Sequence, residues 1–409
     1  MIFEKLVPAK ARRSYYYDSL AGGLAGSYTG IIFPFVLLIA QKELHTSPLL
    51  LAIMTAAPFI GNCFALLWAN AMEGKHKMPF AVGSWYFARA VFIAMLFATS
   101  SLTFSLVVIV GQFCSTVASP AYAAIMKDIY PDEHRGRIMG YVRVITAFTT
   151  IIATLIVGVL LKSVSYRWIF PVGAILGMMS SAAFSRIKTA YPSQRELENK
   201  RSTAKFLQSS LAIPFQNHGF GWFAVSVLVF GFGTIMLLPI YPIFQNESLN
   251  MEYWQLAVLT NVQSVAWMFA YLYWGRYVDR RSPLKATVVN VYLTIFVSLG
   301  YCISTNWWML LPAHIIAGIT NAGIELAYFN SILAFSEEER TSHYQALFSF
   351  LIGIRGTIAP IAGAKLAASF AVNHWDLRYT FLIAACIMFI GATMQLIGLR
   401  RVQHRNVKA

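Results

Sequence analysis

One carboxylate in this sequence lies inside an apolar segment, where ionisable groups are costly and usually functional. Of the 17 acidic residues, Glu325 alone sits well within such a segment, IIAGITNAGIELAYFNSI. Asn321 precedes it by four residues and Tyr328 follows it by three, so a helix would present all three on one face. Two roles are open for Glu325. It could bind a proton or a substrate, or it could form a fixed ion pair with Arg355 in the apolar segment FLIGIRGTIAPIAG.

Other polar side chains in apolar segments are candidates for the lining of a binding cavity. Arg89, in WYFARAVF, could reach an anionic ligand, or it could hold two helices together. Tyr28, Gln112 and Tyr241 could line a cavity, or they could pack within the protein or at the membrane interface. This mixture of aromatic and amide groups favours an amphipathic small molecule over an inorganic ion. Three prolines are expected to bend their helices: Pro34, Pro239 and Pro242.

No spacing in the sequence predicts a metal site or a cofactor. The phosphate-binding pattern GxxxxGK[ST] does not occur, so transport driven by ATP is not indicated. A membrane enzyme would need paired acids, clustered histidines or a Ser/His set at one depth, and a lone Glu325 does not supply one. The cysteines fall in separate apolar segments without metal-ligand or disulfide spacing: Cys63, Cys114, Cys302 and Cys386.

The composition indicates the kind of elements that must position these residues. The chain has 409 residues, of which 57% are hydrophobic and 12% are charged, whereas a soluble domain has about 25% charged residues. Its mean hydropathy is +0.59. The net charge of +15 does not indicate nucleic-acid binding, because the basic residues are dispersed over short loops. The composition excludes a soluble enzyme and predicts a helical protein embedded in a lipid bilayer.

Twelve apolar runs are long enough to cross a bilayer as helices. A polar connection separates the first six runs from the last six. We therefore predict an N-terminal six-helix bundle (1–188), a cytoplasmic linker (189–218) whose second half could form a short amphipathic helix, and a C-terminal six-helix bundle (219–409). The runs lie at about 19–41, 47–71, 79–99, 103–127, 139–162, 166–186, 220–246, 251–273, 284–304, 307–333, 342–370 and 378–399.

Basic residues and an internal repeat predict the topology. Of the 32 lysine and arginine residues, 24 fall on the termini and on alternate loops and four on the opposite loops, so both termini should be cytoplasmic in an inner (plasma) membrane. Landmarks recur at an offset of 205–206: Pro34 with Pro239, Trp68 with Trp274, and Arg135 with Arg340. The two bundles should therefore be related by a pseudo-two-fold axis along the membrane normal.

The chain resembles the major facilitator superfamily of secondary transporters. The six-plus-six arrangement carries the resemblance, together with three loop segments. GRYVDRRSPLK (Gly275–Lys285) matches the first half of the family's loop motif, ANAMEGKHK (Ala69–Lys77) is a degraded copy, and DIYPDEHRGR (Asp128–Arg137) is similar to the family's segment after the fourth span. The resemblance implies two bundles that rock about a central site.

The same resemblance implies a cytoplasmic gate. In the family, loop acids contact helix ends of the other bundle when that side is closed, and flanking basic residues pair with loop acids. The alternative is that these charges only anchor loops at anionic headgroups. Arg143, near the start of the fifth span, is assigned to the gate rather than to the cavity. The predicted gate residues are Glu73, Lys75, Lys77, Arg135, Arg143, Asp279, Arg280, Arg281 and Arg340.

The function expected from this resemblance is secondary active transport of a small, amphipathic organic solute. Proton coupling through Glu325 is the favoured hypothesis, and sodium-coupled or facilitative transport is the alternative. A membrane sensor or assembly factor that resembles a transporter but carries no flux is also left open. We expect the chain to act as a monomer in the lipid bilayer, with a small-molecule substrate and without a nucleic-acid partner.

Overall fold

The structure is a computed structural model that describes residues 3–72, 75–189, 208–280, 282–336 and 341–408. These residues form helices and connecting turns, without a strand, which confirms the predicted all-α class. The α-helices are α1 (Arg12–Lys42), α2 (Pro48–Cys63), α3 (Ala65–Met72), α4 (Met78–Val91), α5 (Ser101–Ser115), α6 (Ala118–Ile129), α7 (Asp132–Leu160), α8 (Tyr166–Phe184), α9 (Ile213–Gln216), α10 (His218–Ile235), α11 (Ile240–Ile243), α12 (Tyr253–Arg280), α13 (Pro283–Ile303), α14 (Leu311–Phe335), α15 (Thr341–Val372) and α16 (Arg378–Lys408).

Eleven helical stretches in the described residues are long and apolar enough to cross a membrane. The second predicted run, 47–71, is not among these eleven. It is divided between α2 and α3, and α2 is a shorter apolar helix. The first candidate span, Ala9–Lys42, begins ten residues before the predicted run. Residues 190–207 of the predicted linker lie outside the described residues. The rest of its second half, 208–218, is described and contains the four-residue helix α9. The amphipathic helix on the membrane surface stays a prediction.

The chain divides into two compact units. Unit 1 comprises the described residues of Met1–Thr46, Ile60–Arg201 and Glu252–Ala257. Unit 2 comprises those of Ser47–Phe59, Ser202–Met251 and Val258–Ala409. The predicted bundle boundaries stay a prediction.

Small residues allow α1 to pack closely against α7 in unit 1. Gly22, Gly26 and Gly30 are spaced by four residues and lie on one face of α1. A side chain at Gly26 would collide with the backbone carbonyl of Thr146. Hydroxyl groups of α7 also donate to α1: Thr150 Oγ1 to Gly26 O (3.0 Å) and Thr154 Oγ1 to Gly30 O (3.1 Å). Close packing of small residues with such bonds is how helices associate in lipid, where no hydrophobic force acts between them.

In unit 2, the helix that begins at His218 is interrupted. α10 ends at Ile235, α11 spans four residues, and a π-helix follows at Phe244–Ser248. Pro239 precedes α11 and Pro242 lies within it, where each removes a backbone donor. In contrast, α1 is continuous through Pro34. α10 packs on α16, which packs on α13, which in turn packs on α14.

Candidate functional site

The polar residues of α14 fall into an exposed pair and a buried tyrosine. Asn321 and Glu325, four residues apart, are both exposed on the same face of the helix. Tyr328 is buried instead, with its ring 6.1 Å from that of Phe223 and 5.8 Å from that of Phe348. The predicted three-residue face is therefore divided, and the pair Asn321 and Glu325 remains as an accessible polar surface.

Arg355 is half-buried in unit 2. Its Nη1 donates to the backbone carbonyl of Val227 at 2.7 Å. The guanidinium lies against Gly231, where a Cβ atom would overlap it. Arg355 thus contacts two successive turns of α10. It donates to the carbonyl of Val227 on one turn and fits against Gly231, which has no side chain, on the next. The hydrogen bond recorded for Arg355 among the described residues is this one to α10, and the predicted ion pair with Glu325 stays a prediction.

Several polar atoms around Arg355 are buried without a hydrogen-bond partner in the described structure. They are Arg355 Nε, the Tyr328 hydroxyl and both amide atoms of Gln395 on α16. The Tyr328 hydroxyl lies close to the charge of Arg355 and beside the side-chain amide of Gln395. Gln395 also faces a small cavity of about 20 Å³, shared with Ser226 and Thr287, which is room for about one water molecule. The structure brings Arg355 and Tyr328 together, in a setting that leaves their polar groups incompletely satisfied.

Arg89 lies in the interior of unit 1 and is fully engaged there. Its Nη1 donates to Gly177 O and to Ser181 Oγ, both at 2.6 Å. Its guanidinium also lies over the rings of Tyr28 (5.5 Å) and Trp85 (5.4 Å), where cation–π attraction stabilises the charge. The side chain is 8% exposed. This geometry favours the helix–helix contact over direct contact with a ligand.

The remaining predicted cavity residues are half-buried. Gln112 lies on α5. The ring of Tyr241 lies 4.6 Å from that of Tyr301. Tyr301 also belongs to a buried polar chain, because Gln245 Nε2 donates to its hydroxyl (3.2 Å) and His314 Nε2 lies 3.0 Å from the same oxygen. This chain joins the π-helix to α13 and α14, and it depends on pairings that sequence spacing does not reveal.

Two predicted gate residues, Arg135 and Lys75, contact backbone carbonyls and an aromatic ring of unit 1, respectively. Arg135 donates to the carbonyls of Met126 (3.2 Å), Lys127 (3.2 Å) and Tyr130 (3.3 Å). A cation at the C-terminus of a helix, here α6, donates to its last carbonyls, and its positive charge interacts favourably with the negative end of the helix dipole. Lys75 Nζ lies 5.8 Å from the ring of Phe80.

The structure describes only some of the other predicted gate residues. Lys77 is half-buried and Arg143 is exposed. Glu73, Arg281 and Arg340 lie outside the described residues, and Asp279 and Arg280 end α12 with side chains that are also outside the description. The cytoplasmic gate and the alternative, in which these charges only anchor loops at anionic headgroups, therefore both stay open.

A buried acid that the sequence analysis did not select lies on α1. Asp18 is 3% exposed, and Tyr130 donates its hydroxyl to Asp18 Oδ2 at 2.7 Å. Burial raises the pKa of Tyr130, and the negative charge of Asp18 raises it further. The phenol therefore stays protonated and remains a donor. A signal was present in the sequence, because Asp18 continues the four-residue spacing of Gly22, Gly26 and Gly30 and so falls on the packed face of α1.

Comparisons with known proteins give a match to one family model and similarity to solved structures. The model of the Major Facilitator Superfamily matches residues 19–360. The chain is similar in structure to the nucleoside transporter NupG, with a TM-score of 0.71 at 12% identity, over 96% of this chain and 99% of that one. It is also similar to an inward-facing, unoccupied bacterial homologue of the human lysosomal transporter Spinster (TM-score 0.70, 12% identity, 96% and 98% covered). No curated protein matches the sequence. At these identities the structural likeness shows the fold alone.

Proposed function

Because the chain belongs to the major facilitator superfamily, whose members are secondary transporters, we propose that it carries a small, amphipathic organic solute together with protons by alternating access. In this proposal Glu325 takes up and releases the proton. The family and the fold support secondary transport across a membrane. The proton site and the solute class rest on the side chains of α14.

The exposure of Glu325 carries the proposal. The residue lies within the candidate span Trp307–Phe335, yet its carboxylate and the amide of Asn321 stand at the surface of the helix. An acidic side chain that faces acyl chains near the bilayer centre costs at least about 2.5–3.5 kcal/mol. A water-filled pathway avoids that cost, and so we place this face of α14 on the transport pathway.

The packing of the two arginines supports a narrower solute class. Arg89 is buried and donates to two groups of unit 1, so we do not propose it as an anion ligand. We also place Arg355 outside the pathway, because it donates to Val227 and packs against Gly231. The accessible polar groups proposed for the site are then Asn321 and Glu325 on α14. An amide and a carboxylate favour a neutral or cationic solute over an anionic one.

A ligand screen followed by a transport assay tests this proposal. The detergent-purified chain is screened at pH 6 and pH 8 by thermal unfolding, with nucleosides among the compounds because of the similarity to NupG. A solute at a hundredfold excess over its Kd stabilises the protein by about 2.7 kcal/mol. The best solute is then assayed in proteoliposomes with an imposed pH gradient, for the wild type, Glu325→Gln and the matched control Glu252→Gln, whose acid lies outside the helices.

We expect Glu325→Gln to lose uptake driven by the pH gradient and to retain solute exchange, because exchange needs no net proton movement. Glu252→Gln should retain both activities. Gradient-driven uptake by Glu325→Gln at the wild-type rate would contradict the proton role, and a clear preference for anionic solutes would contradict the solute class. Ligand binding without flux in the wild type would instead favour the sensor hypothesis.

A further inference from the structure

A polar pocket of about 410 Å³, open on one side like a surface groove, lies at one end of unit 1. A single water molecule needs only about 10–15 Å³ of such volume, so the pocket can hold a substantial polar group. Its walls come from two places, the short helix Ala9–Ala11 that leads into α1 and the end of α6 with the turn after it. The lining includes Lys10, Lys127, Asp128, Tyr130 and Arg135.

Positive charge predominates among the described side chains that line this pocket. They comprise three cations, Lys10, Lys127 and Arg135, and the carboxylate of Asp128. The C-terminal carbonyls of α6 would oppose an anion, but Arg135 donates to the carbonyls of Met126, Lys127 and Tyr130. The guanidinium therefore offsets the negative helix end, and the two lysines, both exposed, supply the charge for a ligand.

The walls of the pocket are held in place by buried contacts. Tyr130, 2% exposed, donates to the buried Asp18 and so connects the turn after α6 to α1. On the other wall Ala11 is 2% exposed, and Arg12 Nε donates to Val7 O at 3.1 Å. A preformed site loses less conformational entropy when it binds than a pair of mobile loops would.

The position of the pocket along the candidate spans suggests the ligand. One wall lies at the start of the span Ala9–Lys42, and the other at the end of the span Ser101–Ile129. Span ends lie at the level of lipid headgroups, and basic pockets between spans bind anionic headgroups there. We infer that this pocket binds a phosphate group, with Lys10 and Lys127 as its ligands, and that an anionic phospholipid supplies it. The inference does not depend on the transported solute.

A titration of the full-length, detergent-purified chain tests the site. Short-chain phosphatidylglycerol, short-chain phosphatidylcholine and inorganic phosphate are added separately, and binding is followed by the thermal unfolding midpoint and by native mass spectrometry. The double variant Lys10→Gln/Lys127→Gln removes both ligands. The matched control Lys188→Gln/Lys285→Gln removes the same charge at two lysines outside the pocket.

We expect the wild type to bind phosphatidylglycerol more tightly than phosphatidylcholine. The loss of two lysines should weaken phosphatidylglycerol binding roughly thirty-fold, with little effect of the control. Competition by inorganic phosphate at similar concentrations would support the phosphate site and identify a soluble phosphate as its source. Equal affinity for the two lipids, or equal losses in the two double variants, would overturn the inference.

A second variant keeps the test decisive if the double variant does not fold. Asp128→Asn removes the carboxylate that lines the pocket and leaves both lysines in place. It should strengthen phosphatidylglycerol binding several-fold, because a like charge no longer opposes the phosphate. Unchanged or weaker binding by this folded variant would also overturn the inference.

Discussion

The two arginines within apolar helices, the buried Arg89 and the half-buried Arg355, differ in how completely the protein satisfies their hydrogen-bonding groups. Arg89 in unit 1 and Arg355 in unit 2 each donate Nη1 to a backbone carbonyl, near a tyrosine and against a glycine, Gly177 and Gly231 respectively. Arg89 has a second acceptor and two aromatic faces. Arg355 has a buried Nε without a partner in the described residues. Arg89 thus links helices of unit 1 through several contacts, whereas Arg355 in unit 2 keeps a donor group without a partner in the described residues.

The largest expected effect comes from removal of the two charges. Arg89→Leu should lower the free energy of unfolding by about 3 kcal/mol or more, because it deletes two bonds from a charged donor, worth about 1.5–3 kcal/mol each. Arg355→Leu should change it by only about 1 kcal/mol, because the lost bond is offset by removal of an unpaired buried group. Unfolding in a denaturant titration measures both values. Equal losses, or a larger loss for Arg355→Leu, would contradict the comparison.

An intermediate effect is expected at the glycine that receives Arg355. Gly231→Ala places a Cβ atom on the guanidinium, and overpacking of this kind costs about 1–3 kcal/mol. In the Arg355→Leu background the same substitution should be nearly neutral, since the group it displaces is gone. A double-mutant cycle of unfolding free energies measures the coupling, which should reach about 1–2 kcal/mol. The same loss in both backgrounds would show that another neighbour limits the space.

The smallest effect is expected for the tyrosine beside Arg355. Its hydroxyl lies beside Gln395 but makes no well-formed hydrogen bond in the described structure, so Tyr328→Phe should leave the unfolding free energy unchanged within about 0.5 kcal/mol or raise it slightly. Tyr130→Phe is the matched control, because it deletes the bond to Asp18 and should cost about 1–3 kcal/mol. A substantial loss for Tyr328→Phe would reveal a partner for its hydroxyl in the membrane-embedded protein.

Hydropathy predicted most of the helices because a bilayer demands long apolar segments whatever their tertiary contacts. It failed where the helix geometry depends on packing. The run 47–71 is divided after Cys63, and α1 begins well before its apolar run. Charged and aromatic residues at 12–18 precede that run, so composition alone placed the start of the span too late and left Asp18 outside it.

The surroundings of the predicted site residues were harder to infer, for a physical reason. The acceptors of Arg89 lie 88 and 92 residues away, at Gly177 and Ser181, and the acceptor of Arg355 is a carbonyl 128 residues away. A backbone carbonyl has no sequence signature, because every residue carries one. The exposed pair Asn321 and Glu325 was predictable, since its spacing is local to one helix.

The glycine face of α1 has a mechanical consequence. Gly22, Gly26 and Gly30 lie so close to α7 that a single added methyl group at Gly26 meets its backbone. A slide of α1 along α7 by one turn would bring Asp18, which continues this face at the same four-residue spacing, towards the narrow gap. The close packing therefore opposes sliding between the two helices, and we expect α1 and α7 to move as one rigid body.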